Sequence, residues 1–249
     1  MRILMPIKSD VTQQITKLIT AADWFQGLPE EAINRLVNAA KLDTFSTNRP
    51  LYLIGTEANN VFGILSGNVE ISISSYNGEE FTICDEGAGY WLGEFTLAND
   101  SPRILNVVAQ EETQAVVIPK SVLNAIGDEF PLIYRNLFKN QTHRFIRLYQ
   151  LFGYMIFYPL ESRLALIALS LVETHGVSQD NHILIKTKLS QADLSKRTLG
   201  SRQSVNQILR RWSVEDIFVK SPTGYIINDL DALKLKLSSP IDSEFLPGV

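Results

Sequence analysis

Between Phe130 and Leu160 the chain carries Arg135, Lys139, Arg144 and Arg147 and no acidic residue, and an apolar stripe runs through the same stretch. Tyr134, Phe138, Gln141, Phe145, Leu148, Phe152 and Met155 follow one another in alternating steps of four and three, Gln141 being the polar member. This is the period of a coiled-coil seam, so the spacing predicts one long helix whose stripe must be covered. The cover is either the sheet of the same chain or another subunit. Leu137, Ile146, Leu151 and Ile156 occupy a neighbouring face. Two apolar faces call for two partners, and one of them is expected to be the same helix of a second copy. Tyr158-Pro159 ends the helix, since proline lacks the amide hydrogen and restricts the residue before it. A domain boundary is placed there.

The texture differs on either side of this helix. From Leu42 to Ile118 short strands are expected at Leu51 to Ile54, Val61 to Leu65, Val69 to Ser74, Phe81 to Cys84, Asn106 to Ala109 and Ala115 to Ile118. Gly55, Gly67, Gly78, Gly87, Gly89 and Gly93 punctuate them at the intervals of turns in a small antiparallel sandwich or barrel. Ahead of the strands, Pro29 to Ala40 has Ala32, Ile33, Leu36 and Val37 at helical spacing and is expected to pack as a lid.

Beyond Pro159 come a helix from Leu160 to Thr174, a strand from His182 to Lys186, and a basic island from Leu189 to Trp212. The island holds Lys196, Arg197, Arg202, Arg210 and Arg211 against the single acid Asp193, in a chain whose net charge is −4. Ser190 with Asp193 has the pattern of a helix N-cap and its capping partner, and Ser201 repeats the start signal after Gly200. Two short helices around a tight turn result. Leu189, Ala192 and Leu194 would be buried from the first; Val205, Ile208, Leu209 and Trp212 form the apolar face of the second, leaving Arg202, Gln203, Asn206, Gln207 and Arg210 outside. Phe218 to Lys220 and Tyr225 to Asn228 read as a hairpin around Pro222 to Gly224, and a closing helix starts at Leu230.

Composition narrows the function. An acidic chain does not coat nucleic acid over its whole surface, so any DNA contact must concentrate on one face. The single cysteine, Cys84, rules out an internal disulfide and any multi-thiolate zinc or iron–sulfur site. Cys84 sits in an apolar strand, where an inert thiol is expected. His143, His175 and His182 all lie outside the strand region, which argues against haem ligation there and against a cupin-like metalloenzyme, whose metal needs strand histidines. No metal, haem or cluster is expected, and no catalytic residues are assigned. The start MRILMPIKSDVTQQITK lacks the apolar run of a signal peptide, and the most apolar run, Leu164 to Val172, is too short to span a bilayer. A cytoplasmic, non-membrane protein is the expectation.

The order of parts resembles the family of the cyclic AMP receptor protein and the fumarate and nitrate reduction regulator, Crp/Fnr, from about Trp24 to Leu233. The likeness is carried by Gly67 in LSGNVEI, by WLGEF at Trp91 to Phe95 followed by Pro102-Arg103, by PLESRLA at Pro159 to Ala165, and by SRQSVNQIL at Ser201 to Leu209. It implies an α+β chain: an antiparallel, cyclic-nucleotide-binding-like β-roll (20–130), a dimerisation helix and hinge (131–158), and a winged helix-turn-helix (159–237). It also implies a homodimeric regulator of transcription that binds a roughly palindromic site on double-stranded DNA, with RNA polymerase as a further partner. The corresponding DNA contacts fall on Ser190, Lys196, Ser201, Arg202, Gln203, Ser204, Asn206, Gln207, Arg210 and Arg211. Arg202 is the candidate for guanine, Gln203 or Asn206 for adenine, while Lys196, Arg197, Arg210 and Arg211 meet phosphates or solvate the surface. The alternative is a regulatory module whose C-terminal domain contacts protein. One departure is that Leu199 stands where relatives often have glycine, two residues before Ser201.

The resemblance also places an effector site at Gly93, Glu94, Phe95 and Arg103, with Leu148 and Tyr149 on the long helix. In nucleotide-binding relatives an Arg-Ser pair holds the cyclic phosphate and two adjacent hydroxyls read adenine. Here the serine position is Ile104 and the hydroxyl pair falls on Leu148 and Tyr149. A buried phosphate short of a donor loses on the order of 1–3 kcal/mol, so cyclic AMP is disfavoured. An internal salt bridge is the other reading of Glu94 and Arg103.

Overall fold

The segment between Leu42 and Ile118 folds into two antiparallel sheets that enclose an apolar core. The structure, a computed structural model, describes residues 7–98, 101–179, 182–186 and 189–237; the first residues of the stretch inspected for a leader lie outside them. The chain divides into two compact units, up to Arg144 and from Phe145 onward.

The first unit runs α1 (Ile7–Ala21), α2 (Glu30–Ala39), β1 (Lys41–Phe45), β2 (Pro50–Tyr52), β3 (Asn60–Ser66), β4 (Asn68–Ser74), β5 (Glu80–Gly87), β6 (Trp91–Leu92), α3 (Phe95–Ala98), β7 (Asn106–Ala109), β8 (Thr113–Pro119), α4 (Lys120–Glu129) and the start of α5 (Leu132–Phe157). One sheet has the order β1-β8-β3-β6 and the other β2-β7-β4-β5. Ala115 and Val117 of β8 point between the sheets with Phe62, Ile64, Val69 and Val107, whereas Val116 and Ile118 join Trp24, Leu36, Trp91, Leu123 and Ile133 under the helices. A strand buried on both faces has no polar alternation, which is why AVVI reads as a continuous apolar run. Gly63 is required in β3 because a Cβ there would lie 2.7 Å from the Trp91 ring.

The predicted strands all exist, with different ends: the segment around Leu51 stops at Tyr52, and that around Phe81 runs on to Gly87. Elements α1, α4, β1 and β6 are additional. The long helix spans Leu132–Phe157, and its inward row in this unit is Ile133, Leu137, Asn140 and Arg144. Asn136 donates to the carbonyls of Trp24 and Gln26 at 3.3 and 2.8 Å, fixing the rotation of the helix.

The second unit continues α5 and adds α6 (Leu160–His175), β9 (Gly176–Gln179), β10 (His182–Lys186), α7 (Gln191–Thr198), α8 (Arg202–Val214), β11 (Phe218–Ser221), β12 (Gly224–Ile227) and α9 (Leu230–Leu235). The sheet order is β11-β12-β10-β9. Val205, Ile208, Leu209 and Trp212 of α8 are buried as their spacing predicts, against Leu164, Ala168, Leu194 and Phe218. Of the residues expected inside from α7, Leu194 is buried while Leu189 and Ala192 are half-buried.

Both start signals work as caps. The Ser190 hydroxyl accepts from the Asp193 amide at 3.2 Å, and the Asp193 carboxylate accepts from the Ser190 amide at 2.7 Å. Ser201 accepts from the Ser204 amide at 3.0 Å. Between them Leu199 closes α7 in the left-handed region, at φ 51 and ψ 34. Gly200 serves packing instead, since a Cβ on it would sit 2.6 Å from a Leu160 methyl. The left-handed conformation costs a residue with a Cβ roughly 1–2 kcal/mol, and Leu199 is exposed, so its side chain returns little of that. Leu199→Gly is therefore expected to raise stability by about 0.5–1 kcal/mol after the extra entropy of glycine in the unfolded chain. Urea denaturation checks this, and a loss of stability would mean that the Leu199 side chain packs more than its exposure suggests.

Candidate sensor cavity and nucleic-acid interface

Gly93, Phe95 and Arg103 line one cavity of about 140 Å³ together with Tyr52, Ser101, Pro102, Ile104 and Leu105. Arg103 is held from several sides. Its backbone amide donates to Thr56 O at 2.9 Å, its carbonyl accepts from Gly55 N at 2.7 Å, and its guanidinium donates to Asn60 O. The guanidinium carbon lies 4.2 Å from the centre of the Tyr52 ring and 5.7 Å from that of Phe62. Gly93 makes room for it, because a Cβ there would meet an Arg103 terminal nitrogen at 2.8 Å. Burial pushes the Arg103 pKa down, against the pull of Tyr52 and Glu94, and burial likewise pushes the Tyr52 hydroxyl up.

Glu94 does not bond Arg103. Its carboxylate accepts from Arg144 of α5 at 2.8 Å, and Arg144 also donates to Trp91 O at 2.7 Å and lies 4.3 Å over the Tyr90 ring. The internal salt bridge expected between Glu94 and Arg103 is thus not formed; Glu94 pairs with a helix arginine instead. Arg144 is the residue missed from sequence. Its available signal was its position one helical turn before Leu148, in a stretch with no acid to pair it locally. Leu148 and Tyr149 belong to the second unit and are exposed, Tyr149 at 72%.

On α8, Arg202, Gln203, Gln207 and Arg210 are exposed and Ser204 and Asn206 half-buried. The remaining candidates divide. Ser190 spends its hydroxyl on Asp193, to which it also donates at 2.7 Å. Lys196 is half-buried. Arg197, read as phosphate-facing or solvated, is instead only 8% exposed. Arg211 is tied to Glu161 at 2.7 Å beside Trp212, whose indole donates to the same carboxylate at 2.9 Å. Burial pushes the Glu161 carboxyl up, but the hydrogen bonds from Trp212 and Arg211 and the charges of Arg211 and Lys236 outweigh it, so the net pKa is lowered. Next to α8 the hairpin β11–β12 projects its turn at residues 222–223.

On α5, Phe138 (76%), Phe145, Leu148 and Phe152 (63%) are exposed. Tyr134 is partly covered by α4, close enough that a Cβ on Gly127 would overlap its ring. Gln141 and Met155 are half-buried.

The first unit is a two-sheet roll with an arginine-bearing cavity, and the second holds a capped helix pair and a β-hairpin in the order of a winged helix-turn-helix. Residues 42–129 match the family described as cyclic nucleotide-binding domain. The chain is similar to the CRP-like cAMP-activated global transcriptional regulator of Mycobacterium tuberculosis, 23% identical over 78% of this chain and 86% of that one. It is also similar to the anaerobic regulatory protein of Bacillus subtilis, 25% identical over 75% of this chain and 81% of that one. Among solved structures, a Crp/Fnr-family transcriptional regulator from Eubacterium rectale superposes with a TM-score of 0.74 at 15% identity, covering 88% of this chain and 99% of the other. Residues 42–129 thus carry a cyclic nucleotide-binding domain, and the chain as a whole has the fold of Crp/Fnr regulators and is similar to them in sequence. No helix among the described residues is long and apolar enough to cross a membrane.

Two outcomes follow from the ion pairs. The Glu94 and Arg144 side chains are 8% and 16% exposed; Arg144→Ala leaves a buried carboxylate and is expected to cost about 3 kcal/mol, part of which Glu94→Ala restores in the double variant. Additive losses in denaturant titrations would show the pair to be uncoupled. For Glu161 the folded value lies below the ordinary 4.5. Its contribution is present above that value and fades as pH falls through the folded one, so Glu161→Gln is expected to flatten the acid limb of the stability curve below pH 4.5. An acid limb identical to the parent's would remove Glu161 as a contributor.

Proposed function

We propose that the chain is a homodimeric, sequence-specific DNA-binding regulator of transcription whose β-roll answers to a small molecule other than cyclic AMP. Residues 20–130 are assigned to sensing, 131–158 to dimerisation and hinge, and 159–237 to DNA binding, with RNA polymerase the further partner this role implies. The observation that carries the reading is α8: a helix capped by Ser201, buried along Val205, Leu209 and Trp212, and presenting Arg202, Gln203, Gln207 and Arg210 outward with no acid among its residues. Such a face offers long donors and amides to base edges, while the amides of its first turn favour a phosphate. Arg202 is assigned to base readout and Arg210 to phosphate. Ser204, Asn206 and Lys196 flank them.

Dimerisation is assigned to α5. Each outward seam residue in the first unit follows an inward one by a single position: Tyr134 after Ile133 and Phe138 after Leu137. One position is about 100° of helix, so a helix fixed on its roll by Ile133, Leu137 and Arg144 turns Phe138 away from it. The relative from Mycobacterium tuberculosis is described as cAMP-activated. In this chain Ile104 stands at the position where the resemblance implies a phosphate donor, and it supplies none.

Replacing Phe145 and Phe152 together by glutamate should release monomers in light scattering after size exclusion; an unchanged dimer mass would move the interface elsewhere. On a panel of operator variants at fixed salt, Arg202→Ala should cost roughly 1–3 kcal/mol and flatten discrimination at one base pair per half-site. Arg210→Ala should weaken all sequences alike and lower the salt slope by about one. With the two recognition helices of a dimer about 34 Å apart, the affected base pairs lie symmetrically one helical turn from each other. Binding that is indifferent to sequence would favour a protein-contacting C-terminal domain.

A further inference from the structure

We infer that the roll cavity takes a small organic acid with an apolar body and a single carboxylate, an aliphatic or aromatic monocarboxylate of about benzoate size; this rests on the sensing role assigned to the roll.

Three observations point to that class. The first is charge. Among the described residues Arg103 is the one charged side chain lining the cavity, and it is only 6% exposed. A carboxylate meets a guanidinium with charge-assisted hydrogen bonds that an uncharged ligand cannot offer. The nearby acid, Glu94, is already bonded to Arg144, which leaves Arg103 to the ligand.

The second is the wall. Apart from Arg103 and Ser101, the lining side chains are the rings of Tyr52, Phe95 and Pro102 and the aliphatic groups of Ile104 and Leu105, with Gly93 contributing backbone. Ile104 is 50% exposed, and Leu53 and Ile54, on the segment that pairs its backbone with Arg103, are exposed as well. Apolar side chains left in water beside a buried cation fit a ligand that covers them with hydrocarbon while its charge goes inward.

The third is size. A cavity of about 140 Å³ is close to the roughly 150 Å³ that admits benzene in an apolar protein interior. One ring or a short chain with its carboxylate fits such a space.

Isothermal titration calorimetry on the full chain at neutral pH tests this with benzoate and hexanoate, their uncharged partners benzamide and hexanamide, inorganic phosphate, and cyclic AMP. At least one acid should bind ten-fold or more tightly than its own amide, with phosphate and cyclic AMP weaker still. Arg103→Gln should abolish the preference for acid over amide. Because Arg103 is packed into the roll, Ile104→Asp provides a second variant at an exposed position, and it should weaken the acid at least ten-fold by placing a like charge at the mouth. Acids and amides binding equally, no binding by any of the acids, or cyclic AMP binding more tightly than both acids would each overturn the inference. Operator binding by the same preparation reads the regulator assignment separately. If it is sequence-specific while the acids fail, the ligand class alone is wrong; if it is absent while the acids bind, the regulator assignment falls and the cavity chemistry stands.

Discussion

The Glu94 carboxylate is the constraint around which the first unit is arranged. It sits in sequence between two residues that line the Arg103 cavity and has little access to water, and an isolated charge in such a place is costly. Arg144 compensates it from α5 while also donating to Trp91 O and covering the Tyr90 ring. Those bonds, together with the Asn136 contacts two turns earlier, set the rotation of the helix on its roll. Once the rotation is set, the remaining faces of this part of the helix are no longer a choice: Ile133 and Leu137 go inward, and Phe138 goes outward. The Glu94–Arg144 pair and the exposed Phe138 are therefore two consequences of one helix orientation.

What could be read from sequence was whatever is encoded locally or by period. The capping serines at Ser190 and Ser201, the buried face of α8 and the proline stop at Pro159 depend on residues within a few positions of one another, and each appears where its pattern placed it. Elements defined by their neighbours were less legible. The two-residue strand Trp91–Leu92 exists because β3 pairs with it, and Lys41–Phe45 because β8 does; neither has an alternation of its own to announce it. Arg197 shows the same limit with a single side chain. Basic residues around it suggested a solvated face, yet α7 packs with Leu194, Arg197 and Thr198 buried, so its charge lies inside. The partner of Arg144 lies fifty positions away on the roll, beyond the reach of any helical periodicity.

The recognition turn shows how a departure in sequence need not become a departure in geometry. Glycine is favoured at the left-handed end of a helix because it has no Cβ to clash, and relatives of this chain supply it two residues before the capping serine. Here Leu199 adopts the left-handed conformation itself, and the adjacent glycine is kept where the backbone meets Leu160. The strain is tolerated because both sides over-determine the turn. The Ser190–Asp193 box fixes the start of α7, and the burial of Val205, Leu209 and Trp212 fixes α8. A turn caught between two anchored helices has few other paths for its chain to take, so the helix pair sets the conformation and the residue at its apex bears the strain.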